Sequence, residues 1–175
     1  MDMVSTNLTE EEKAKGLTLE STEIRNKFAK KGKERITDPK NKSVFHKRVG
    51  DLIKIGNFED NMDMISDSDW VIEVIVENLE PKKNIMKKIS KYCKKGAVVS
   101  SNTSGVSINK IVEDMPIEFR QCFMGTHFFN PPRYMKLFEL IPALDTLPEL
   151  VDFMEQFATK RLEKYFYSIG IRKRL

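Results

Sequence analysis

Three sets of polar residues in this sequence sit where chemistry could be done: Glu77-Asn78, Asn102-Thr103-Ser104, and His127 with Asn130. His127 lies inside an apolar run, Phe123-Met124-Gly125-Thr126-His127-Phe128-Phe129, and Glu139 inside another, Leu137-Phe138-Glu139-Leu140-Ile141. An unpaired carboxylate in such a run is expensive to bury, so Glu139 needs a partner. If the chain folds back about Arg133, positions 127 and 139 are symmetric and face each other across adjacent strands. A carboxylate on one imidazole nitrogen fixes the tautomer and raises the basicity of the other, as a general base requires. Each set also has a bland reading. His127 can be a hydrogen-bonded core residue, Glu77-Asn78 a helix-entry turn, and Asn102-Thr103-Ser104 a cluster of cap and turn residues bonded to nearby backbone.

In an open α/β sheet, ligands bind beyond the carboxyl ends of the strands, so the elements that end at these residues set the argument. Leu52-Ile53-Lys54-Ile55 reads as a short strand and Trp70 to Val76 as a central one. Pro81 suits the first turn of a following helix, with Ile85, Met86, Ile89 and Tyr92 on one face and Gly96 after its end. Ala97 to Ser100 reads as the next strand, and a helix from Ser107 toward Asp114 follows the polar turn. Strands over Phe123–Phe129 and Leu137–Ile141 and an amphipathic helix over Leu147–Leu162 complete a βαβ pattern of parallel sheet and flanking helices. Upstream, residues 8–35 are polar and rich in helix formers, with a capping box at Thr9 and Glu12, a possible break at Gly16 and sparse apolar positions. That predicts a helical arm that buries little and projects from the sheet.

The chain has 175 residues, 40% hydrophobic and 32% charged, with net charge +4, which fits one ordinary domain and excludes a large multidomain enzyme. No apolar run approaches the roughly 18 residues a membrane helix needs, and the start lacks a secretory pattern, so a cytoplasmic protein is predicted. Cys93 and Cys122 form neither a CxxC pair nor a cluster with histidines, which argues for buried free thiols and against a metal site. Charge is segregated. Arg25 to Arg48 carries ten Lys or Arg against two acids, and Asp51 to Glu80 carries nine acids against Lys54. The basic run reads as a solvated helix face or a seat for a polyanion. With only Phe28 and Phe45 as aromatics, it lacks a nucleic-acid stacking platform.

Eight glycines never come closer than six apart, so no G-x-G-x-x-G pyrophosphate loop can be assigned. Even so, Asp69 to Asn78, Ser100 to Gly105, and above all Gly125-Thr126-His127-Phe128-Phe129-Asn130-Pro131-Pro132 with Glu139 resemble the NAD-binding domain of 3-hydroxyacyl-CoA dehydrogenases of the bacterial multifunctional β-oxidation type. The resemblance implies an incomplete Rossmann-like, doubly wound parallel sheet with a projecting helical arm. It would cover residues 1–162, truncated at both ends, with 163–175 as a divergent tail in place of a family Gly-Lys and strand.

By position, the resemblance makes His127 the base for a 3-hydroxyl and Glu139 its orienting partner, with Ser104 and Asn130 near the substrate. Asp2, at the end of a strand formed by Met1 to Val4, would hold the adenosine ribose of NAD, and Glu77, Lys82 and Asn102 would contact the rest of that cofactor. The basic run would face the CoA part of a 3-hydroxyacyl-CoA. Family members often dimerise through a C-terminal helical domain. Without the glycine loop and that domain, an inactive fragment is expected. The alternative is a non-catalytic remnant that binds acyl-CoA or a partner chain.

Overall fold

The computed structural model describes residues 1–41, 43, 44 and 46–168. Lys42 and Phe45 of the basic run and positions 169–175 of the expected tail lie outside the described residues. The chain divides into two compact units, residues 1–64 and 65–175.

In the first unit the expected arm is a set of short helices, α1 (Glu10–Ala14), α2 (Thr22–Arg25) and α3 (Lys27–Thr37), and a further helix, α4 (Lys47–Asp51), follows it. Thr9 and Glu12 form the capping box at α1, and Gly16, with φ of 72°, takes the left-handed turn that ends it. The arm buries more than its sparse apolar pattern suggested, since Ile24 is only 1% exposed. Part of the basic run is spent inside this unit. Arg25 forks onto Asp60 at 2.6 and 2.7 Å and reaches Glu59 at 3.1 Å, Lys27 pairs with Glu12 at 2.7 Å, and Lys33 donates to the Ile53 carbonyl at 2.7 Å. The predicted strand at Leu52–Ile55 is absent. Leu52 is a turn residue, 80% exposed, and the Ile53 carbonyl is taken by a side chain instead of a neighbouring strand. The Met1–Val4 strand shrinks to one parallel bridge, Asp2 to Asn57.

The second unit holds a five-stranded sheet in sequential order: β1 (Trp70–Glu73), β2 (Val98–Ser101), β3 (Phe123–Phe128), β4 (Leu137–Pro142) and β5 (Tyr165–Ser168). Strands β1, β2 and β3 are parallel, β4 returns antiparallel to β3, and β5 runs parallel to β4. The sheet thus begins at residue 70, not at the expected Leu52–Ile55 strand, and is mixed, because the connection from residue 129 to 136 is too short for a crossover. Strand β1 stops at Glu73, three residues earlier than its apolar run. Strand β5 falls where a divergent tail without a strand was expected.

Helices α5 (Leu79–Tyr92), α6 (Ile108–Val112), α7 (Ile117–Gln121) and α8 (Pro148–Lys160) connect the strands. Ile85, Met86 and Ile89 of α5 are buried as their spacing requires, whereas Tyr92 is 45% exposed. One core cluster joins Val98, Met124, Phe138, Leu140, Met154 and Ala158, with Trp70, Phe128 and Phe166 packed against it. The Trp70 indole N–H donates to Ser100 Oγ at 2.9 Å, and its ring meets Phe157 edge-on at 6.0 Å. Gly125 permits α6 to approach β3, since a Cβ there would stand 2.9 Å from Ile108 Cδ1 and 3.0 Å from Ile141 Cβ. Cys93 and Cys122 are free, partly buried thiols whose burial raises their pKa values.

The core also holds an ion pair. Lys82 on α5 places Nζ 2.8 and 3.1 Å from the two carboxylate oxygens of Glu73, and both side chains are 1% exposed. Glu73 further accepts from Ser101 Oγ and from the Ile75 amide at 2.6 Å. Removing one member strands a buried charge. Lys82→Met should therefore cost about 3–5 kcal/mol in urea denaturation, and adding Glu73→Gln should recover part of that loss. A cost under about 1 kcal/mol would show that the pair is not dry.

After α8 the chain turns at Glu163, whose φ of 52° is left-handed for a residue with a Cβ. Relief of that strain, set against glycine's larger unfolded-state entropy, predicts that Glu163→Gly stabilises the protein by about 0.5–1 kcal/mol. A lowered thermal midpoint would contradict it.

Candidate active site

Strands β3 and β4 pair in a five-residue register in which His127 stands directly opposite Glu139. Directly opposed residues share a face, so the side chains meet, and His127 Nδ1 lies 2.7 Å from Glu139 Oε2. Alternation explains the rest. Phe138 and Leu140 point into the core cluster, while Leu137, Glu139 and Ile141 share the face of His127. The dyad is neither sealed nor fully open, with side chains 18% and 22% exposed. With Glu139 ionised, Nδ1 carries the proton and donates it to the carboxylate, which leaves the Nε2 lone pair to accept. The Phe129 ring packs 4.6 Å from the imidazole.

Beyond the ends of β1 and β2, the Glu77 carboxylate organises the polar turn. Its Oε1 accepts from Thr103 Oγ1, from the Ser104 amide at 3.0 Å and from the Gly105 amide at 2.9 Å, and Lys82 Nζ lies 3.3 Å from Oε2. Burial raises the Glu77 pKa, but the Thr103 hydroxyl, the two amides and Lys82 outweigh it and bring the value down to about 2. The turn also reaches the dyad's strand, because Asn102 Oδ1 accepts from the Phe128 amide at 2.9 Å, next to His127. The Asn102 amide NH₂ donates to nothing among the described residues.

The bland readings hold in part. Asn78 caps α5 by accepting from the Glu80 amide at 3.2 Å, and Thr103 Oγ1 accepts from the Val106 amide at 2.9 Å as a turn residue. Ser104 and Asn130 are exposed, and their side chains bond to nothing among the described residues. Asp2 belongs to the first unit, with its carboxylate on the Met3 amide at 2.7 Å. Lys82 is a core residue whose ammonium is taken up by Glu73 and Glu77.

Sequence reasoning missed Glu73 and Lys164. Glu73 carried the same signal as Glu139, an acid within an apolar run. Lys164 follows the charged Lys160, Arg161 and Glu163 at the end of a helix, where a lysine reads as solvated, and gave none. Among the described residues no group of three His, Cys, Asp or Glu could hold a metal ion, and no helix is long and apolar enough to cross a membrane.

The family model for "3-hydroxyacyl-CoA dehydrogenase, NAD binding domain" matches residues 4–166. A Bacillus subtilis (strain 168) protein described as a probable 3-hydroxyacyl-CoA dehydrogenase is 40% identical over 164 residues, which is 94% of this chain and 21% of the relative. A Deinococcus radiodurans protein of the same description is 39% identical over 140 residues, 80% of this chain and 40% of the relative. The chain thus spans about a fifth of the first of these relatives and two fifths of the second. Among solved structures, (S)-3-hydroxybutyryl-CoA dehydrogenase from Ralstonia eutropha superposes with a TM-score of 0.63 at 29% identity, covering 80% of this chain and 48% of that one. A sheet of Rossmann type, a His–Glu dyad on its β3–β4 pair and a match over nearly the whole chain agree: the chain belongs to the family of 3-hydroxyacyl-CoA dehydrogenase NAD-binding domains.

Proposed function

We propose that this chain supplies the cofactor-side half of an oxidoreductase that converts 3-hydroxyacyl-CoA to 3-oxoacyl-CoA. The observation that carries the reading is the 2.7 Å contact between His127 Nδ1 and Glu139 Oε2 on a partly open sheet face. His127 Nε2 accepts the proton of the 3-hydroxyl. Glu139 holds the ring in the required tautomer and compensates the charge that the imidazole gains. Ser104 and Asn130 offer an uncommitted hydroxyl and amide for orienting the substrate.

Glu77 and Asn102 suit the hydroxyl-rich part of NAD. One is a half-exposed carboxylate that stays ionised, and the other carries an unpaired amide NH₂. When bound, NAD takes the hydride that leaves carbon 3. Asp2 would serve the adenosine ribose. On the first unit the exposed Lys30, Lys31, Arg35, Lys40 and Arg48 are the described part of the basic run left for the CoA phosphates. Lys82 is best read as support for Glu77 and the turn.

The test is reduction of NAD by a 3-hydroxyacyl-CoA, on the chain itself and on a chimera that joins it to the segments flanking the matched stretch in the Bacillus subtilis relative. His127→Gln should lower kcat about 10²–10⁴-fold with the fold intact by circular dichroism, and Glu139→Gln should lose less. A chimera whose His127→Gln variant turns over as fast as its parent would show that the dyad is structural.

A further inference from the structure

The turn that joins β3 to β4 begins directly after Asn130. Its carbonyls are claimed one after another. Pro131 O accepts from the Tyr134 and Met135 amides, each at 3.0 Å, and Lys136 O accepts from the Tyr165 amide at 2.8 Å. Two further carbonyls of the turn, Pro132 and Met135, accept from the ammonium of Lys164, the latter at 2.6 Å. Lys164 is 7% exposed, and no carboxylate pairs with it among the described residues. The adjacent Glu163 instead reaches Lys136 at 3.6 Å. Burial, then the nearby Lys136, depress the Lys164 pKa. An ammonium buried against carbonyls alone is costly, and its effect falls on one element.

We propose that Lys164 is a positioning residue for the reaction: its buried ammonium locks the 131–136 turn and so fixes where Asn130 stands beside the dyad. The role in turnover rests on the oxidoreductase reading above. The dyad is held separately, by the ladder from Met124–Pro142 to Phe128–Phe138 that brackets His127 and Glu139. Loss of the ammonium should therefore misplace Asn130 and leave the His127–Glu139 contact intact.

Hydrogen exchange on the chain as it stands tests the lock. In Lys164→Met the Tyr134 and Met135 amides should exchange roughly 10- to 100-fold faster, as expected for lost charge-assisted hydrogen bonds, with Ile85 to Ile89 of α5 unchanged. Lys164→Arg should restore much of the protection. If Lys164→Met does not fold, Lys164→Gln, which keeps a donor, is read the same way. Unchanged exchange at 134 and 135, or an equal rise everywhere, overturns the proposal.

In the turnover assay, kcat/KM of Lys164→Met should fall by about 10- to 100-fold while its pH profile keeps the parent's inflection. A shifted inflection would mean that the dyad moved, and would overturn the division of labour. A parent without turnover defeats the oxidoreductase reading alone, and exchange still decides whether Lys164 holds the turn.

Discussion

Charge compensation around the buried Glu73 carboxylate is the constraint on which the second unit depends. A carboxylate 3% exposed at the end of β1 is tolerable only with full satisfaction, and its partners come from three separate elements. Ser101 ties it to the end of β2, Lys82 to α5, and the Ile75 amide to the chain leaving the sheet. This is why β1 ends at Glu73 although its apolar run continues to Val76. The amide that would extend the ladder is turned onto the carboxylate. The same lysine reaches Glu77, and Glu77 gathers the amides of the 103–105 turn. One buried charge thereby sets the geometry beyond the carboxyl ends of β1 and β2, and Asn102 passes that geometry to the backbone beside His127.

The dyad depends on a different kind of constraint, that of register. A slip of one residue between β3 and β4 would turn either His127 or Glu139 into the core. Apolar side chains prevent it, since Phe138 and Leu140 are fully buried and leave Glu139 no choice of face. Gly125 adds a second lock by admitting Ile108 and Ile141 at a spacing that no larger residue allows. The polar chemistry on one face is thus held in place by packing on the other.

These two constraints differ in how far they can be read from sequence. Register was legible because it rests on alternation and symmetry about Arg133, both local patterns, and it placed His127 opposite Glu139, as found. The strands and helices from Trp70 to Lys160 were legible for the same reason, except α7, which was not foreseen. The Glu73–Lys82 pair was not, because period-based reading treats a charged residue nine positions away on the next helix as solvated. The first unit was read poorly. Its short helices are held by ion pairs such as Arg25–Asp60, and a spacing of 35 residues leaves no periodic trace. At Leu52–Ile55, β-branched residues suggested a strand, but a strand also needs a neighbour, and that is a property of the fold. Lys164 was invisible because its acceptors are backbone carbonyls, which every sequence possesses.

Trp70, the one tryptophan of the chain, has its indole bonded to Ser100 while its ring rests against Phe157 of α8 and, 6.3 Å away, Phe128 of β3. Its surroundings thus combine β1, β2, β3 and the last helix in a single chromophore. Emission from this indole carries no contribution from a second tryptophan. It is an optical readout, needing no added label, of whether those four elements are assembled, at a point one residue along β3 from the imidazole.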